Sequence, residues 1–263
     1  MGEDWMQVTV VSHAGIANRI KNILSAMSEH EEVSTLSDPI SYIFPSLPKV
    51  NDEIVNEYRE DWRLLVTPEE EQYCDEYKTI DLLYEKTPEY FVDKYLKILG
   101  RLKINPEIVE YVSEFTEGWD NVVGVHIRSW YCAKKVFHSN EIFEQEMDRY
   151  PPNQKFFFCS DNSDVQKYFV DKYGDRVITY ERDMFNYPQM AESGHHDDIQ
   201  LTADAFIELL MLSKCDTIIG TYASSFDEVA WWMSGCKSKV IIPTPINCDE
   251  ELKNFNDLIY VKK

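Results

Sequence analysis

The stretch G-V-H-I-R at residues 124–128 ends an apolar run with two nitrogen-bearing side chains, His126 and Arg128. An arginine is a fixed cation with a planar fork of donors, and this shape suits phosphate oxygens. An ion pair with one of the chain's many carboxylates would account for the same arginine. Residue type and spacing therefore leave phosphate binding and a structural ion pair as equal alternatives for Arg128.

A second candidate segment, G-T-Y-A-S-S-F at residues 220–226, lies between a predicted strand and a predicted helix. The backbone N–H groups at a helix N-terminus attract anions, and Ser224 and Ser225 add hydroxyl donors. Serine is also a common helix cap. Considered in isolation, the segment favours capping over phosphate binding.

Acidic and histidine residues supply weaker candidates. Asp161 follows the apolar run F-F-F-C-S and could accept a hydrogen bond from a base or ribose, although capping the helix that begins at Ser163 is favoured. The pair His195 and His196 precedes two aspartates, but adjacent histidines in a polar loop seldom point at one metal ion. The six cysteines show no C-x-x-C spacing, so we expect no zinc site and no bound metal.

The first glycine loop, H-A-G-I-A-N-R at residues 13–19, matches no nucleotide-binding fingerprint. It lacks both G-x-G-x-x-G and G-x-x-x-x-G-K-[ST], and Arg19 and Lys21 only add local positive charge. No G-x-S-x-G elbow is present in the chain. A dinucleotide-binding loop, a P-loop and a serine hydrolase are therefore not indicated.

These candidates must be positioned by strands and helices that alternate along the chain. Apolar runs predict strands at residues 7–12, 63–67, 122–127, 156–160, 177–180, 217–220 and 240–242. Helical periodicity and caps predict helices at residues 17–28, 89–102, 106–115, 140–149, 163–173, 201–214 and 224–233. Residues 38–60 and 183–198 read as irregular, and residues 69–85 as an acidic surface.

This alternation predicts an α/β protein with parallel, doubly wound sheets in two domains, residues 1–117 and 118–263. Ligands of such sheets bind beyond the carboxyl ends of the strands. The rule selects four segments that fall at predicted strand ends, residues 12–15, 126–128, 160–162 and 220–225. These segments are the expected ligand-binding positions.

The overall charge excludes some partners. The 263 residues carry a net charge of −21, from 26 basic and 47 acidic residues. Such a surface repels nucleic acid and anionic membranes, and an anionic small molecule would need a local cluster of cations. The chain has no apolar run long enough to cross a membrane and no visible signal peptide, so we expect a cytoplasmic protein.

Three segments together resemble the GT-B fold fucosyltransferases, which include the alpha-1,6-fucosyltransferases, the rhizobial nodulation fucosyltransferase and the peptide O-fucosyltransferases. The segments are G-V-H-I-R with the following V-F-H (136–138), F-F-F-C-S-D-N (156–162), and the run from Thr202 to Trp231. The resemblance covers about residues 121–233. The loop containing Gly15 and Asn18 is more weakly similar to the G-x-G-N-R loop of some members.

The resemblance implies two Rossmann-like domains, with the nucleotide sugar bound by the second and the acceptor on the side of the first. It implies an inverting, metal-independent transfer of L-fucose from GDP-fucose to a glycan or other hydroxyl acceptor, without a cofactor. Arg128 would stabilise the leaving diphosphate. Other substrate-binding roles are implied for His126 and Glu208 at the guanine or ribose, Asp161 beside the nucleoside, Thr221, Ser224 and Ser225 at the phosphates with Tyr222 nearby, and Gly15 and Asn18.

The chain departs from the family pattern after Arg128. Many alpha-1,6 members have a second arginine there, where this chain has Ser129, and Lys134 or Lys135 would replace the lost cation. Three alternatives stay open: a transferase of the same architecture that uses another nucleotide sugar, a metal-dependent GT-A enzyme that uses Asp161 and Asn162 as a degenerate D-x-D, and a non-catalytic nucleotide- or carbohydrate-binding protein.

Overall fold

A computed structural model describes residues 8–10, 15–29, 32–35, 37–49, 89–129, 139–182, 198–222 and 224–243. The chain divides into two compact units. Unit 1 contains Met1–Tyr111 and His196–Phe206, and unit 2 contains Val112–His195 and Ile207–Lys263. The domain boundary placed between residues 117 and 118 stays a prediction.

The described part of unit 1 contains a pair of short parallel strands, β1 (Val8–Val10) and β2 (Val33–Thr35). Helix α1 (Ile16–Glu29) connects them, followed by α2 (Asp38–Ile43) and α3 (Glu89–Leu99). Helix α4 (Pro106–Phe115) begins in unit 1 and ends in unit 2. The predicted helices at 17–28, 89–102 and 106–115 are therefore confirmed, with shifted ends for the first two.

Two elements of unit 1 correct the sequence analysis. Residues 38–60 were expected to be irregular, but residues 38–43 form α2. Pro39 lies in its first turn, where the missing N–H costs no hydrogen bond, and Ile40 and Ile43 are buried one turn apart. Strand β2 was not predicted, because a three-residue run carries too little periodicity. The expected strand at 63–67 and acidic surface at 69–85 lie outside the described residues.

Unit 2 is built on a parallel sheet of five strands, and its elements follow in chain order. They are β3 (Val123–Ile127), α5 (Asn140–Met147), β4 (Phe156–Ser160), α6 (Ser163–Tyr173), β5 (Val177–Ile178), α7 (Ile199–Leu212), β6 (Thr217–Ile219), α8 (Ser225–Met233) and β7 (Lys239–Ile241). Helix α7 begins in unit 1 and ends in unit 2. Each element was predicted from the sequence, with differences of a few residues at the ends. The expectation of an α/β protein with a parallel sheet is confirmed.

The order of the strands across the sheet is β5-β4-β3-β6-β7, with every neighbouring pair parallel. Chain order therefore runs outward from β3 in one direction through β4 and β5, and in the other through β6 and β7. The reversal lies between β3 and β6. In open α/β sheets the crevice at such a switch point, at the carboxyl ends of the strands, is where ligands bind.

Side chains of β3 alternate between two packed faces. Val123, Val125 and Ile127 belong to a hydrophobic core that includes Phe143 of α5 and Phe169 of α6. On the opposite face, Gly124 allows close approach of the end of α7, since a Cβ there would lie 2.5 Å from Cδ1 of Leu212. His126 lies two residues after Gly124 and therefore on the same face of β3. The strand pattern therefore turns His126 away from the aromatic core.

The described cysteines include two buried free thiols. Cys159 in β4 and Cys215 before β6 are buried, and Cys236 is half-buried. Burial raises the pKa of the Cys159 and Cys215 thiols, so both stay protonated at neutral pH. Among the described residues, no helix has the length and apolar character needed to cross a membrane.

Candidate functional site

Candidate residues of unit 2 come together at the switch point of the sheet. Arg128 follows β3 directly, and Thr221 follows β6, the strand hydrogen-bonded to β3. The amide of Arg128 donates to Oγ1 of Thr221 at 2.9 Å. Two segments separated by 93 positions in the chain are thus joined at the carboxyl edge of the sheet.

The centre of this edge is a buried histidine–aspartate pair. Nδ1 of His126 lies 2.7 Å from Oδ1 of Asp227, a residue of α8. The Asp227 side chain is fully buried and the His126 side chain is 6% exposed. One face of the His126 ring stacks on Phe226, with the ring centroids 4.5 Å apart. A buried carboxylate is costly unless its oxygens receive hydrogen bonds, and here both do.

The second oxygen of Asp227 holds the loop after β6. Oδ2 accepts a hydrogen bond from the backbone N–H of Thr221 at 2.7 Å. Gly220 makes this approach possible, because a Cβ at that position would lie 2.8 Å from both Cγ and Oδ2 of Asp227. The glycine before the T-Y-A-S-S segment is therefore required by packing against a carboxylate. It does not need an unusual backbone angle.

The hydroxyl of Thr221 is also used within the protein. It donates to the carbonyl of His126 at 2.8 Å while it accepts from the amide of Arg128. A hydroxyl has one proton to donate. In this arrangement Thr221 has none left for a phosphate oxygen, and it instead fixes the backbone on both sides of Ile127. Its predicted phosphate contact stays a prediction.

Asp161 holds the residue that follows Arg128. Its Oδ1 accepts from the backbone N–H of Ser129 at 2.8 Å and from the Ser129 hydroxyl at 3.0 Å. The favoured expectation that Asp161 caps the following helix is wrong. The N-cap of α6 is Asn162, whose side chain accepts from the amides of Asp164 and Val165. Within the described ranges Oδ2 of Asp161 is buried without a hydrogen bond.

Ser224 occupies the N-cap position of α8 without acting as a cap. It is 3% exposed, and its hydroxyl forms no hydrogen bond to the helix or to any other described residue. An N-cap serine normally satisfies one of the free N–H groups of the first turn. The interpretation of Ser224 as a simple cap is therefore wrong. A buried donor remains at the positive end of a helix.

The other predicted residues of unit 2 lie in different surroundings. Glu208 is 2% exposed in α7, where its Oε2 forms a 2.9 Å ion pair with Nη2 of Arg182. Arg182 also donates to the carbonyl of Ser160, the last residue of β4. Ser225 is half-buried at the first position of α8, and Tyr222 is buried beside Thr221. The nucleoside contact expected for Glu208 stays a prediction.

Two predicted residues belong to unit 1. Gly15 is half-buried before α1, with open space where a side chain would begin. Asn18 lies in the first turn of α1, and its Oδ1 is buried without a hydrogen bond among the described residues. Arg19 and Lys21, expected to add positive charge at this helix, are both buried, and Arg19 donates to Ser37 at 2.6 Å.

Sequence reasoning missed Asp227, the residue that joins the two halves of the site. The available signal was S-x-x-D at residues 224–227, which resembles a capping box at a helix N-terminus. In a capping box the acid reaches back to the N-cap amide, but here Asp227 accepts from His126 and Thr221. A pattern search would have found the residue and assigned the wrong partner.

The described ranges contain no group of three or more His, Cys, Asp or Glu side chains arranged to hold a metal ion. The candidate at residues 195–198 lies almost wholly outside those ranges. What the described residues do assemble is an arginine, a buried hydroxyl and a helix N-terminus at a sheet switch point. These are the groups with which α/β proteins bind anionic ligands at the carboxyl edge of a parallel sheet.

Comparison with solved structures identifies the fold more closely. A NodZ alpha-1,6-fucosyltransferase co-crystallised with GDP aligns with 86% of this chain and 92% of its own, at 18% identity and a TM-score of 0.54. NodZ alpha-1,6-fucosyltransferase soaked with GDP-fucose aligns with 87% of this chain and 93% of its own, at 17% identity and a TM-score of 0.53. The selenomethionine form of fucosyltransferase NodZ from Bradyrhizobium aligns with 92% of this chain and 97% of its own, at 17% identity and a TM-score of 0.56. The chain therefore shares the fold of these fucosyltransferase structures.

No protein-family model matches the chain. No curated protein matches its sequence either.

We expect Gly220→Ala to disturb the site selectively. The added methyl meets a carboxylate held by two hydrogen bonds, which cannot yield without breaking one, so the free energy of unfolding should fall by about 1–3 kcal/mol. Nucleotide affinity should fall as well. Urea unfolding and calorimetry would measure the two effects.

Gly124→Ala is the matched control. Its added methyl meets the end of the Leu212 side chain, and Gly124 lies within β3 and not at the carboxyl edge of the sheet. It should reduce stability and leave nucleotide affinity unchanged. Equal loss of affinity in both variants would show that Gly220 has no special role at the site.

Proposed function

We propose that this protein is an inverting glycosyltransferase that moves L-fucose from GDP-fucose to a hydroxyl group of a glycan or another acceptor, without a metal ion. Unit 2 binds the donor in this proposal. The observation that carries it is the convergence, at one sheet switch point, of Arg128 and the N-terminus of α8 with its buried Ser224 hydroxyl. The fold shared with fucosyltransferase structures that contain GDP or were soaked with GDP-fucose supports the choice of donor.

Phosphate recognition follows from the groups at this edge. The amides of the first turn of α8 have no partners within the helix and carry partial positive charge. The Ser224 hydroxyl is already desolvated and has a proton to donate. A diphosphate bound here gives that donor an acceptor. Binding therefore removes an unsatisfied group in addition to forming a contact.

Arg128 acts on the reaction itself. The acceptor hydroxyl attacks C1 of the fucosyl group and releases its proton to solvent, the bond from C1 to the β-phosphate oxygen breaks, and the electron pair leaves with GDP. Negative charge thus grows on the diphosphate as the bond lengthens. A guanidinium placed there stabilises the transition state more than the ground state.

The backbone of Arg128 is fixed before a ligand arrives. Its amide is bound to Thr221, and the next residue, Ser129, is held by Asp161. A cation whose backbone is already ordered loses little further freedom on binding. The protein-to-protein bonds of Thr221 and Asp161 therefore support the catalytic role proposed for Arg128.

The donor is tested by calorimetry and hydrolysis assays with GDP-fucose, GDP-mannose, a UDP-sugar and a dTDP-sugar, each with and without EDTA. We expect binding and turnover of GDP-fucose alone, unchanged by EDTA. Turnover of another donor would redirect the proposal to a different nucleotide sugar. Tight binding of GDP with no turnover over a broad acceptor panel would show a non-catalytic binding protein.

Arg128→Ala should abolish transfer and weaken GDP binding. The protein should remain folded, because Arg128 is half-buried and belongs to no strand or helix. Arg128→Lys should also be poor, since a point charge cannot make the paired contacts of a guanidinium. Steady-state kinetics and circular dichroism are the measurements. Parental turnover of GDP-fucose by Arg128→Ala would contradict the assignment.

Ser224→Ala separates ligand binding from helix capping. Loss of a functioning cap costs about 0.5–2 kcal/mol of stability, but the Ser224 hydroxyl makes no cap bond. We therefore expect unchanged or slightly increased stability, and donor affinity lowered by about 1 kcal/mol.

Asn162→Ala is the control, because Asn162 caps α6 with two hydrogen bonds. It should lose stability and keep donor affinity. If Ser224→Ala instead loses stability with no change in affinity, Ser224 is a structural residue.

A further inference from the structure

The His126 ring is held on two sides. Asp227 occupies Nδ1, and Phe226 covers one face. No described residue forms a hydrogen bond with Nε2. Since Nδ1 is committed to a buried carboxylate, Nε2 is the ring nitrogen that can meet a ligand at the carboxyl edge of β3.

The hydrogen bonds of Asp227 determine which ring nitrogen carries a proton. An ionised carboxylate only accepts hydrogen bonds. Its Oδ2 accepts from the amide of Thr221, and its Oδ1 faces Nδ1 of His126. Nδ1 must therefore be the donor. In the neutral ring Nε2 then has a lone pair and no proton, and it can only accept.

We propose that Asp227 is a positioning residue: it holds His126 in the Nδ1–H form so that Nε2 accepts a hydrogen bond from a hydroxyl group of the bound nucleotide sugar. This inference rests on the proposed function, and it adds the chemical class of the group that His126 recognises. A phosphate oxygen, which is itself an acceptor, is a poor partner for this nitrogen. The hydroxyl belongs to the ribose or to the fucosyl group.

Asp227→Asn tests the inference by reversing the tautomer with little change in shape. The Thr221 amide still needs an acceptor, so the side-chain oxygen of the new amide must face it. The NH₂ group then faces Nδ1 of His126 and donates to it. The neutral ring is left with its proton on Nε2, which becomes a donor where the ligand also donates.

Nitrogen NMR of the histidine rings shows directly which ring nitrogen carries the proton. The signals of His126 are identified by their loss in His126→Gln. We expect the proton on Nδ1 in the parent and on Nε2 in Asp227→Asn, with both proteins folded by circular dichroism. A purely structural role of Asp227 would not produce this exchange. A proton on Nε2 in the parent, alone or together with Nδ1, would overturn the proposal.

Calorimetry supplies the second measurement and separates the two hydroxyl sources. Asp227→Asn should weaken binding about tenfold, the usual effect of one mismatched buried hydrogen bond. Equal weakening for GDP and GDP-fucose that is absent for 2′,3′-dideoxy-GDP assigns the hydroxyl to the ribose, whereas equal weakening that persists for 2′,3′-dideoxy-GDP would assign the donor to guanine and overturn the inference. Weakening for GDP-fucose alone assigns it to the fucosyl group. Parental affinity for both ligands would overturn the inference.

Two further variants serve as controls. Asp164→Asn removes the same charge from the first turn of α6, where the residue is exposed, and should leave GDP binding unchanged. In a His126→Gln background Asp227→Asn should cost no further affinity, because its effect passes through the ring. If the parent binds neither GDP nor GDP-fucose, the proposed function itself fails, and the NMR result still decides the tautomer.

Discussion

The carboxylate of Asp227 is the group on which the candidate site depends. It is fully buried, and it receives hydrogen bonds from a side chain of β3 and from the backbone after β6. A carboxylate without these partners would be strongly destabilising at this depth. The cost of burying the charge therefore enforces the arrangement. As long as Asp227 is inside, His126 and the loop beginning at Thr221 must be where they are.

The rest of unit 2 makes room for this carboxylate. Glycine at position 220 leaves the space that the carboxylate fills, and glycine at position 124 lets α7 approach the same face of β3. Glu208, a second buried acid among the described residues, is paired with Arg182. Two buried acids at the same sheet edge are thus each matched to a nitrogen-bearing partner. Arg128 therefore lies at an edge that also holds the ion pair of Arg182 and Glu208.

Much of the fold could be predicted because its signals are local. Strands β3 and β4 are mostly apolar and buried along their whole length, and α6 ends at a glycine with positive φ. The site was less predictable, because its contacts join residues far apart in the chain. Thr221 was named as a ligand residue, but its amide donates to Asp227 and its hydroxyl donates to the carbonyl of His126. Short elements such as α2 and β2 were missed, since a few residues show too little periodicity.

The central position of β3 has a consequence for how the molecule assembles. The His126–Asp227 bond spans 101 positions, and β6 follows β3 by about as many. During synthesis from the N-terminus, β3 and β4 emerge long before β6, which leaves one edge of an apolar strand without a neighbour. Such edges recruit other chains, and long-range pairing of parallel strands is slow. The switch point that creates the crevice is also the seam that closes late in folding, where the nascent chain is most exposed to aggregation.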